Sequence, residues 1–143
     1  MFIGEYQHAL DDKGRLQVPA KFRADLKVGA VVTRGLDSCL FLYTRRAWEE
    51  LAKRLAGLPL ARANTRAFAR LMLAGAMDVE IDSQGRILLP DYLRQYASLK
   101  REVIVAGLYN RLELWDMSRW QSYKRATEKG SGDIAEALSE LGV

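Results

Sequence analysis

Cysteine and histidine are scarce in this chain of 143 residues, which contains one of each, Cys39 and His8. A single cysteine excludes an intramolecular disulfide and a zinc site built from cysteines, and it favours a reducing, intracellular compartment. A glycine-rich phosphate loop, a GxSxG elbow and the histidine spacings of metal sites are missing too. We therefore expect no cofactor, no metal and no small-molecule substrate.

Long hydrophobic segments are also missing. No apolar run approaches the roughly 18 residues of a membrane span, and the first residues lack the basic-then-apolar order of a signal peptide. The hydrophobic content of 49% and the charged content of 28% are ordinary for a globular protein. We expect one soluble, cytoplasmic domain that does not contact a membrane.

Negative charge is concentrated at the C-terminus. Residues 128–143 hold four acids and one lysine, a net charge of −3, so the whole-chain charge of +4 leaves +7 on the first 127 residues. A basic body favours an anionic partner such as nucleic acid, although a solvated basic surface is an equally ordinary outcome at this charge.

One ten-residue pattern occurs twice, as "LDDKGRLQVP" from Leu10 and as "IDSQGRILLP" from Ile81. Further positions align at the same offset or after a one-residue shift, including Gly35 with Gly107 and Trp48 with Trp120. The chain therefore contains two copies of a unit of about 45 residues. We place the first unit at 5–47, the second at 76–119 and a C-terminal helical segment at 120–143.

Each unit has the same predicted order of elements. An alternating strand leads into a D-x-x-G turn, whose Asp and Gly suit the first and fourth positions of a type I turn. Strand pairing resumes after the turn, so each motif is predicted as the tip of a β-hairpin. A proline starts a short helix, two paired strands follow, and Thr44 or Asp116 caps the next helix. A further helix, "NTRAFARLMLAG", is predicted between the units, capped by Asn64 and packed through Phe68, Leu71 and Met72.

The predicted fold class is α+β. Two half-units of this size would each be marginal alone. Interleaving their strands would bury both apolar faces, so we expect one compact, pseudo-symmetric body with a barrel-like core and flanking helices.

Enzymatic chemistry finds little support. His8 falls on the predicted inward face and is better interpreted as a core residue than as a general base. Cys39 is expected to be buried and has no second histidine to activate it. Asp11 and Asp82 each precede an arginine by four residues across a tight turn, which keeps a carboxylate ionised and unsuited to proton transfer. We expect a protein that is not an enzyme.

The D-x-x-G-R residues divide into two groups. Asp11, Gly14, Asp82 and Gly85 are best explained as residues that shape the two turns. Arg15 and Arg86 alternate with inward apolar residues and are therefore predicted to point outward, and Lys13 adds a cation at the first turn. A guanidinium held by an aspartate is a preorganised donor for phosphate or for guanine. The residues alone leave nucleic-acid contact and a merely solvated turn equally open.

The repeated D-x-x-G-R turn resembles the MraZ family, whose members carry two copies of a DxxxR signature. "MFIGEYQHALDDKGRLQVPAKFR" is similar to the family's N-terminal signature, and "GLYNRLELWD" to the ending of its second unit. The resemblance extends from Met1 to about Trp120. It implies two SpoVT–AbrB-type units that form an AbrB-like swapped-hairpin β-barrel, and assembly into a homo-oligomeric ring.

The resemblance also implies a function. Family members are bacterial transcriptional regulators, so we expect nucleoid-associated, sequence-specific binding of double-stranded promoter DNA at repeated elements. The expected effect is repression of the protein's own operon, the division and cell-wall gene cluster. By position, the DNA-binding residues would be Lys13, Arg15 and Arg86. Because the second turn is less basic than the first, we expect the first to dominate. The alternative is a barrel-type adaptor that binds proteins, with Trp48 and Trp120 in an interaction face.

Overall fold

The computed structural model describes all residues, 1–143, as a mixed α+β protein with two antiparallel sheets. Six strands form the large sheet in the order β1-β7-β8-β4-β3-β5, and β2 and β6 form a separate two-stranded sheet. No ladder between strands closes the sheets into a barrel. The strands are β1 Phe2–Ala9, β2 Arg15–Gln17, β3 Ala30–Arg34, β4 Leu40–Thr44, β5 Met77–Val79, β6 Arg86–Leu88, β7 Glu102–Tyr109 and β8 Leu112–Asp116.

Six α-helices connect or cover these strands, and no helix is both long and apolar enough to span a membrane. The predicted caps are confirmed, because Thr44 accepts a hydrogen bond from the Ala47 amide and Asp116 accepts one from the Arg119 amide. The helices are α1 Arg23–Leu26, α2 Arg45–Ala56, α3 Ala63–Ala69, α4 Asp91–Tyr96, α5 Met117–Lys129 and α6 Ser131–Ala137.

The segment between the units departs from its prediction. Helix α3 begins at Ala63 after an extended Arg62, so Asn64 lies inside the first turn and is not the cap. The helix continues as a π-helical turn over Arg70–Ala74, and Gly75 ends it. Met72 is buried, whereas Phe68 is exposed. The wider π-turn changes the angle between successive side chains, which a regular helical projection from sequence does not anticipate.

The hairpin predicted within each unit forms only at its turn, where the Asp11 amide donates to the Arg15 carbonyl and the Asp82 amide to the Arg86 carbonyl, and the predicted pairing of the two arms is wrong. Strands β1 and β2 share only an isolated bridge between Leu10 and Leu16, and β5 pairs with β3 instead of β6. Strand β2 pairs antiparallel with β6 of the other unit, with Leu16 opposite Ile87. A strand of three residues cannot bury its apolar side chain alone, and the equivalent strand of the second unit supplies the missing neighbour.

The large sheet separates two apolar clusters. Strand β4 shows the division, since Leu40 and Leu42 join one cluster while Phe41 and Tyr43 join the other. The larger cluster has 18 buried residues and combines this face of the large sheet with β2, β6 and the short helices. The smaller cluster lies under α2, the π-turn and α5. Strands buried on both faces explain why this part of the sequence is a nearly continuous apolar run.

Truncating the centre of the two-stranded sheet should destabilise the protein. Leu16 is 1% exposed and packs in the larger cluster, so Leu16→Ala should cost about 3 kcal/mol through lost burial and the cavity left behind. Urea unfolding measures this cost. Leu88→Ala is the control, because Leu88 lies in β6 but is 58% exposed, and its cost should stay within about 0.5 kcal/mol. Equal costs for the two variants would contradict the buried role of Leu16.

Candidate nucleic-acid interface

Each D-x-x-G turn is built around its aspartate. Asp11 accepts hydrogen bonds at Oδ1 from the Lys13 and Arg15 amides, both at 2.9 Å. Its carbonyl accepts the Gly14 amide at 3.0 Å, and Gly14 has φ +82°. An aspartate that bonds the amides of its own turn is the local interaction that favours this residue here. The geometry of the first turn therefore rests on contacts among residues of the turn itself.

The second turn repeats this arrangement closely. Asp82 accepts hydrogen bonds at Oδ1 from the Gln84 and Arg86 amides, both at 2.9 Å. Gly85 donates its amide to the Asp82 carbonyl at 3.0 Å and has φ +81°. The repeated sequence therefore produces the same backbone geometry twice, even though Ser83 and Gln84 replace Asp12 and Lys13.

Both signature arginines are held by their aspartates. The Nε of Arg15 lies 2.7 Å from Oδ2 of Asp11, and the Nε of Arg86 lies 2.9 Å from Oδ2 of Asp82. Arg86 also reaches the other turn, with its Nη1 3.8 Å from Oδ2 of Asp11. The side chains of Arg15 and Arg86 are 32% and 22% exposed. Each guanidinium is thus oriented by a carboxylate, reaches the surface and retains N–H groups that can donate to a ligand.

The two aspartates are held in the ionised form. The pKa of Asp11 lies below its ordinary value chiefly because the Arg15 amide donates to it, and the Arg15 side chain and the Lys13 amide lower it further. The pKa of Asp82 is lowered by the equivalent groups, the Arg86 amide first. Hydrogen bonds to the charged form favour that form. These carboxylates therefore orient the arginines and are poor proton donors.

The β2–β6 pair is a two-stranded ribbon with one buried face and one outer face. Leu16 and Ile87, 1% and 0% exposed, form the buried face. The other residues of the two strands occupy the outer face, and they are Arg15, Gln17, Arg86 and Leu88. The two turns lie at opposite ends of the antiparallel ribbon, and each is hydrogen-bonded to the backbone of the other unit. The Val18 amide donates to the Gly85 carbonyl and the Leu89 amide to the Gly14 carbonyl, both at 2.9 Å.

Gln17 is an outer-face residue for which no role was predicted. Its Nε2 donates to the carbonyl of Gln84 at 2.8 Å, so it joins the first unit's strand to the second unit's turn. Its alternation with the buried Leu16 and Val18 was the signal that placed it beside Arg15 on the outer face. Lys13 lies at the exposed end of the first turn and makes no ion pair, which leaves its ammonium free for a partner.

A second pair of arginines, Arg23 and Arg94, also reaches the turns. Arg94 comes from the second unit and covers Gly14, where an added Cβ would lie 2.7 Å from its Cζ. Arg23 comes from the first unit and covers Gly85, where an added Cβ would collide with its guanidinium. The positive φ favours glycine at each turn, and the absence of a Cβ leaves space for an arginine side chain from the other unit. In the sequence, the only indication of a shared role for these two arginines is that Arg23 aligns with Arg94 in the repeat.

Of the remaining candidates, His8 is half-buried on β1, and burial first and the charge of Arg23 second lower its pKa. Cys39 is fully buried as expected, and burial raises the pKa of its thiol.

Trp48 and Trp120 are partly buried against the smaller apolar cluster. Trp120 also donates to Glu5 on β1, and Lys124 lies 2.7 Å from the same carboxylate. These contacts give the tryptophans a packing role.

Comparison with known proteins places this geometry in a family. The sequence profile described as "MraZ protein, putative antitoxin-like" matches the chain twice, over residues 1–71 and 72–140. The chain belongs to the MraZ family. The boundary between the two MraZ matches lies within the π-turn Arg70–Ala74, and each match contains one D-x-x-G-R turn.

Named MraZ relatives are similar along their whole length. The transcriptional regulator MraZ of Moorella thermoacetica is 51% identical over 140 residues, which cover 98% of this chain and 95% of the relative. The proteins of the same name from Halothermothrix orenii and Acetivibrio thermocellus are 48% and 46% identical, each over the full length of both chains.

Acid should remove the contribution of the two turn aspartates to stability. A carboxyl group whose pKa is lowered by folding stabilises the native state above its unfolded pKa of about 3.9, and this stabilisation is lost as the pH falls through the folded pKa. Asp11→Asn and Asp82→Asn should therefore melt below the wild type at pH 7, with the difference shrinking below about pH 4. Thermal unfolding across this range measures the difference.

Asp12→Asn is the matched control, because Asp12 is exposed in the same turn. Its carboxylate accepts no hydrogen bond and forms no ion pair. Its melting temperature should follow the wild type at every pH. A deficit in the Asp11 and Asp82 variants that stays constant down to pH 2 would contradict the assigned electrostatic role.

Proposed function

We propose that this protein is a sequence-specific, DNA-binding transcriptional regulator that reads DNA with the outer face of the β2–β6 ribbon. The observation that carries the proposal is the pair of aspartate-held arginines, Arg15 and Arg86, on one exposed ribbon face. Its relatives carry the name transcriptional regulator. That family membership also agrees with the expectation that the chain is not an enzyme.

The proposed mechanism follows from the shapes of ribbon and groove. A two-stranded antiparallel ribbon fits the major groove of B-DNA, where each base pair presents a distinct set of donors and acceptors. Arg15 and Arg86 each use Nε to bond an aspartate, and Nη1 of Arg86 also lies 3.8 Å from Oδ2 of Asp11. The other terminal nitrogens are free for O6 and N7 of guanine or for a phosphate. Lys13 supplies a phosphate contact that positions the ribbon without reading sequence.

The larger assembly belongs to the same proposal. We propose that the two sheets correspond to the swapped-hairpin, AbrB-like barrel, because β2 and β6 are exchanged between the units. We further propose a homo-oligomeric ring that binds repeated promoter elements in the cytoplasm, at the nucleoid, and represses its own operon in the division and cell-wall gene cluster. A single ribbon neutralises few phosphates, whereas several ribbons on repeated elements gain affinity through avidity.

Removing Arg15 should abolish specific DNA binding. We expect Arg15→Ala to weaken binding of a duplex from the gene's own upstream region about 10- to 100-fold, because a bidentate contact to a base is lost. Arg15→Lys should keep part of the affinity but lose the preference for the native duplex over a scrambled one. Lysine retains the charge but lacks the two parallel N–H donors of a guanidinium. Fluorescence anisotropy across a salt series measures both effects.

Arg46→Ala is the matched control, because its side chain is 92% exposed on α2, against the other face of the large sheet. This variant removes the same charge and should bind DNA like the wild type. Arg15→Ala loses its contact with Asp11 and should melt somewhat below the wild type, so thermal unfolding is used to show that it remains folded at the temperature of the binding assay. Binding that ignores Arg15 would move the site to another basic face, such as that of Arg62, Arg66 and Arg70, and no binding at any salt would favour a protein-binding adaptor.

Avidity should appear as a dependence on the number of DNA elements. A duplex with the full set of repeated elements should bind about 10²–10⁴ times more tightly than a duplex of equal length with one element, provided that the spacing of ribbons matches the spacing of elements. Scrambling all but one element keeps length and charge constant. A difference no larger than the number of elements would contradict multivalent binding.

A further inference from the structure

The second turn lacks a cation of its own where the first has Lys13, since Gln84 occupies the equivalent position. The fold brings two cations to it from the first unit. Arg23 covers Gly85, and Lys27 follows one helical turn later. Together with Asp82 and Ser83 they line an open cleft of about 380 Å³. We call this space the Arg23 cleft.

Arg23 is fixed at one nitrogen and free at the others. Its Nε donates to the carbonyl of Val18 at 2.9 Å, which orients the guanidinium over the second turn. No carboxylate lies within ion-pair distance of it, and Asp82, on the wall of the cleft, is already bonded by Arg86 and by two amides of its turn. The cleft therefore holds a preorganised guanidinium, an exposed ammonium and the Ser83 hydroxyl, with its one wall carboxylate already compensated.

The equivalent space at the first turn differs in charge. Arg94 donates in the same way to the Leu89 carbonyl at 3.0 Å, but its Nη2 lies 3.6 Å from Oδ1 of Asp91. The first unit has Ala20 at the position of Asp91, and the second unit has Ser98 at the position of Lys27. The opposite unit thus supplies two cations without an ion pair to the second turn, and one cation that is partly neutralised by Asp91 to the first turn.

We propose that the Arg23 cleft binds a backbone phosphate of the DNA that lies on the ribbon, so that the second turn contacts DNA through cations of the first unit. This inference rests on the proposed function. A guanidinium fork and an ammonium suit a tetrahedral dianion or phosphodiester, and the Ser83 hydroxyl adds a neutral donor. Contacts of this kind fix the register of a protein on the duplex and add to the salt dependence of binding.

The sharpest test copies the second unit's neutralising carboxylate into the first. Ala20→Asp places an acid three residues before Arg23, as Asp91 precedes Arg94, at an exposed position that leaves every contact of Arg23 in place. We expect DNA binding about 3- to 10-fold weaker, and the slope of log K against log salt reduced by about one unit per subunit engaged. Ala135→Asp is the control, since it adds the same charge on the exposed helix α6.

Direct removal of the cations gives an independent measurement. Arg23→Gln and Lys27→Gln should each weaken binding of the native and the scrambled duplex by the same factor, because a phosphate contact carries no sequence information. Arg94→Gln is the matched control, and its effect should stay within about twofold because Asp91 already neutralises part of that charge. Thermal unfolding establishes that each variant remains folded.

The outcomes separate this inference from the proposed function. If Arg15→Ala abolishes binding while Ala20→Asp, Arg23→Gln and Lys27→Gln bind like the wild type, the cleft does not hold a phosphate and the ribbon proposal stands. If Arg94→Gln weakens binding as much as Arg23→Gln, the assigned asymmetry is wrong. If the wild type binds no duplex, both proposals fail together.

Discussion

Antiparallel pairing of β2 with β6 is the constraint on which the rest of the structure depends. Each of these strands has three residues and one buried side chain at its centre, Leu16 or Ile87. Neither strand has a full partner within its own unit, so the pairing joins the two units and closes the larger apolar cluster over the face of the large sheet. The same pairing puts Arg15 and Arg86 on one outer face and bonds each turn to the other unit's backbone.

The exchange also determines where charge accumulates. Each turn glycine leaves space for an arginine that starts in the opposite unit, so the electrostatics of a turn depend on both copies of the repeat. A sequence difference in one copy of the repeat therefore changes the charge around the turn of the other copy. Ala20 in place of Asp91 leaves Arg23 free, and this arginine lies beside the second turn. A repeat that looks weakly basic along the chain gains its cations from the other copy.

Rigidity in this region comes from small, local contacts. The turn aspartates each bond two amides and one guanidinium, which fixes the backbone and the arginine together. This arrangement removes side-chain freedom before a ligand binds, so little rotamer entropy remains to be lost on binding. Helix α5 is bonded to β1 through Glu5, Trp120 and Lys124, so it contributes to packing and not to the ribbon.

The sequence by itself determined the duplication, because the two copies align directly. It also determined the α+β class, the strand pairs β3–β4 and β7–β8, and the caps at Thr44 and Asp116, because these depend on residues close together in the chain. Local chemistry likewise accounts for the D-x-x-G turns. Only the tertiary structure decided that β2 pairs with β6, that Arg86 reaches Asp11, and that Arg23 and Arg94 cover the opposite turns. These contacts join residues about 70 positions apart, where periodicity and propensity carry no information on partners. The pairing of β2 with β6 is explained by burial, because each strand is too short to be stable without a partner from the other unit.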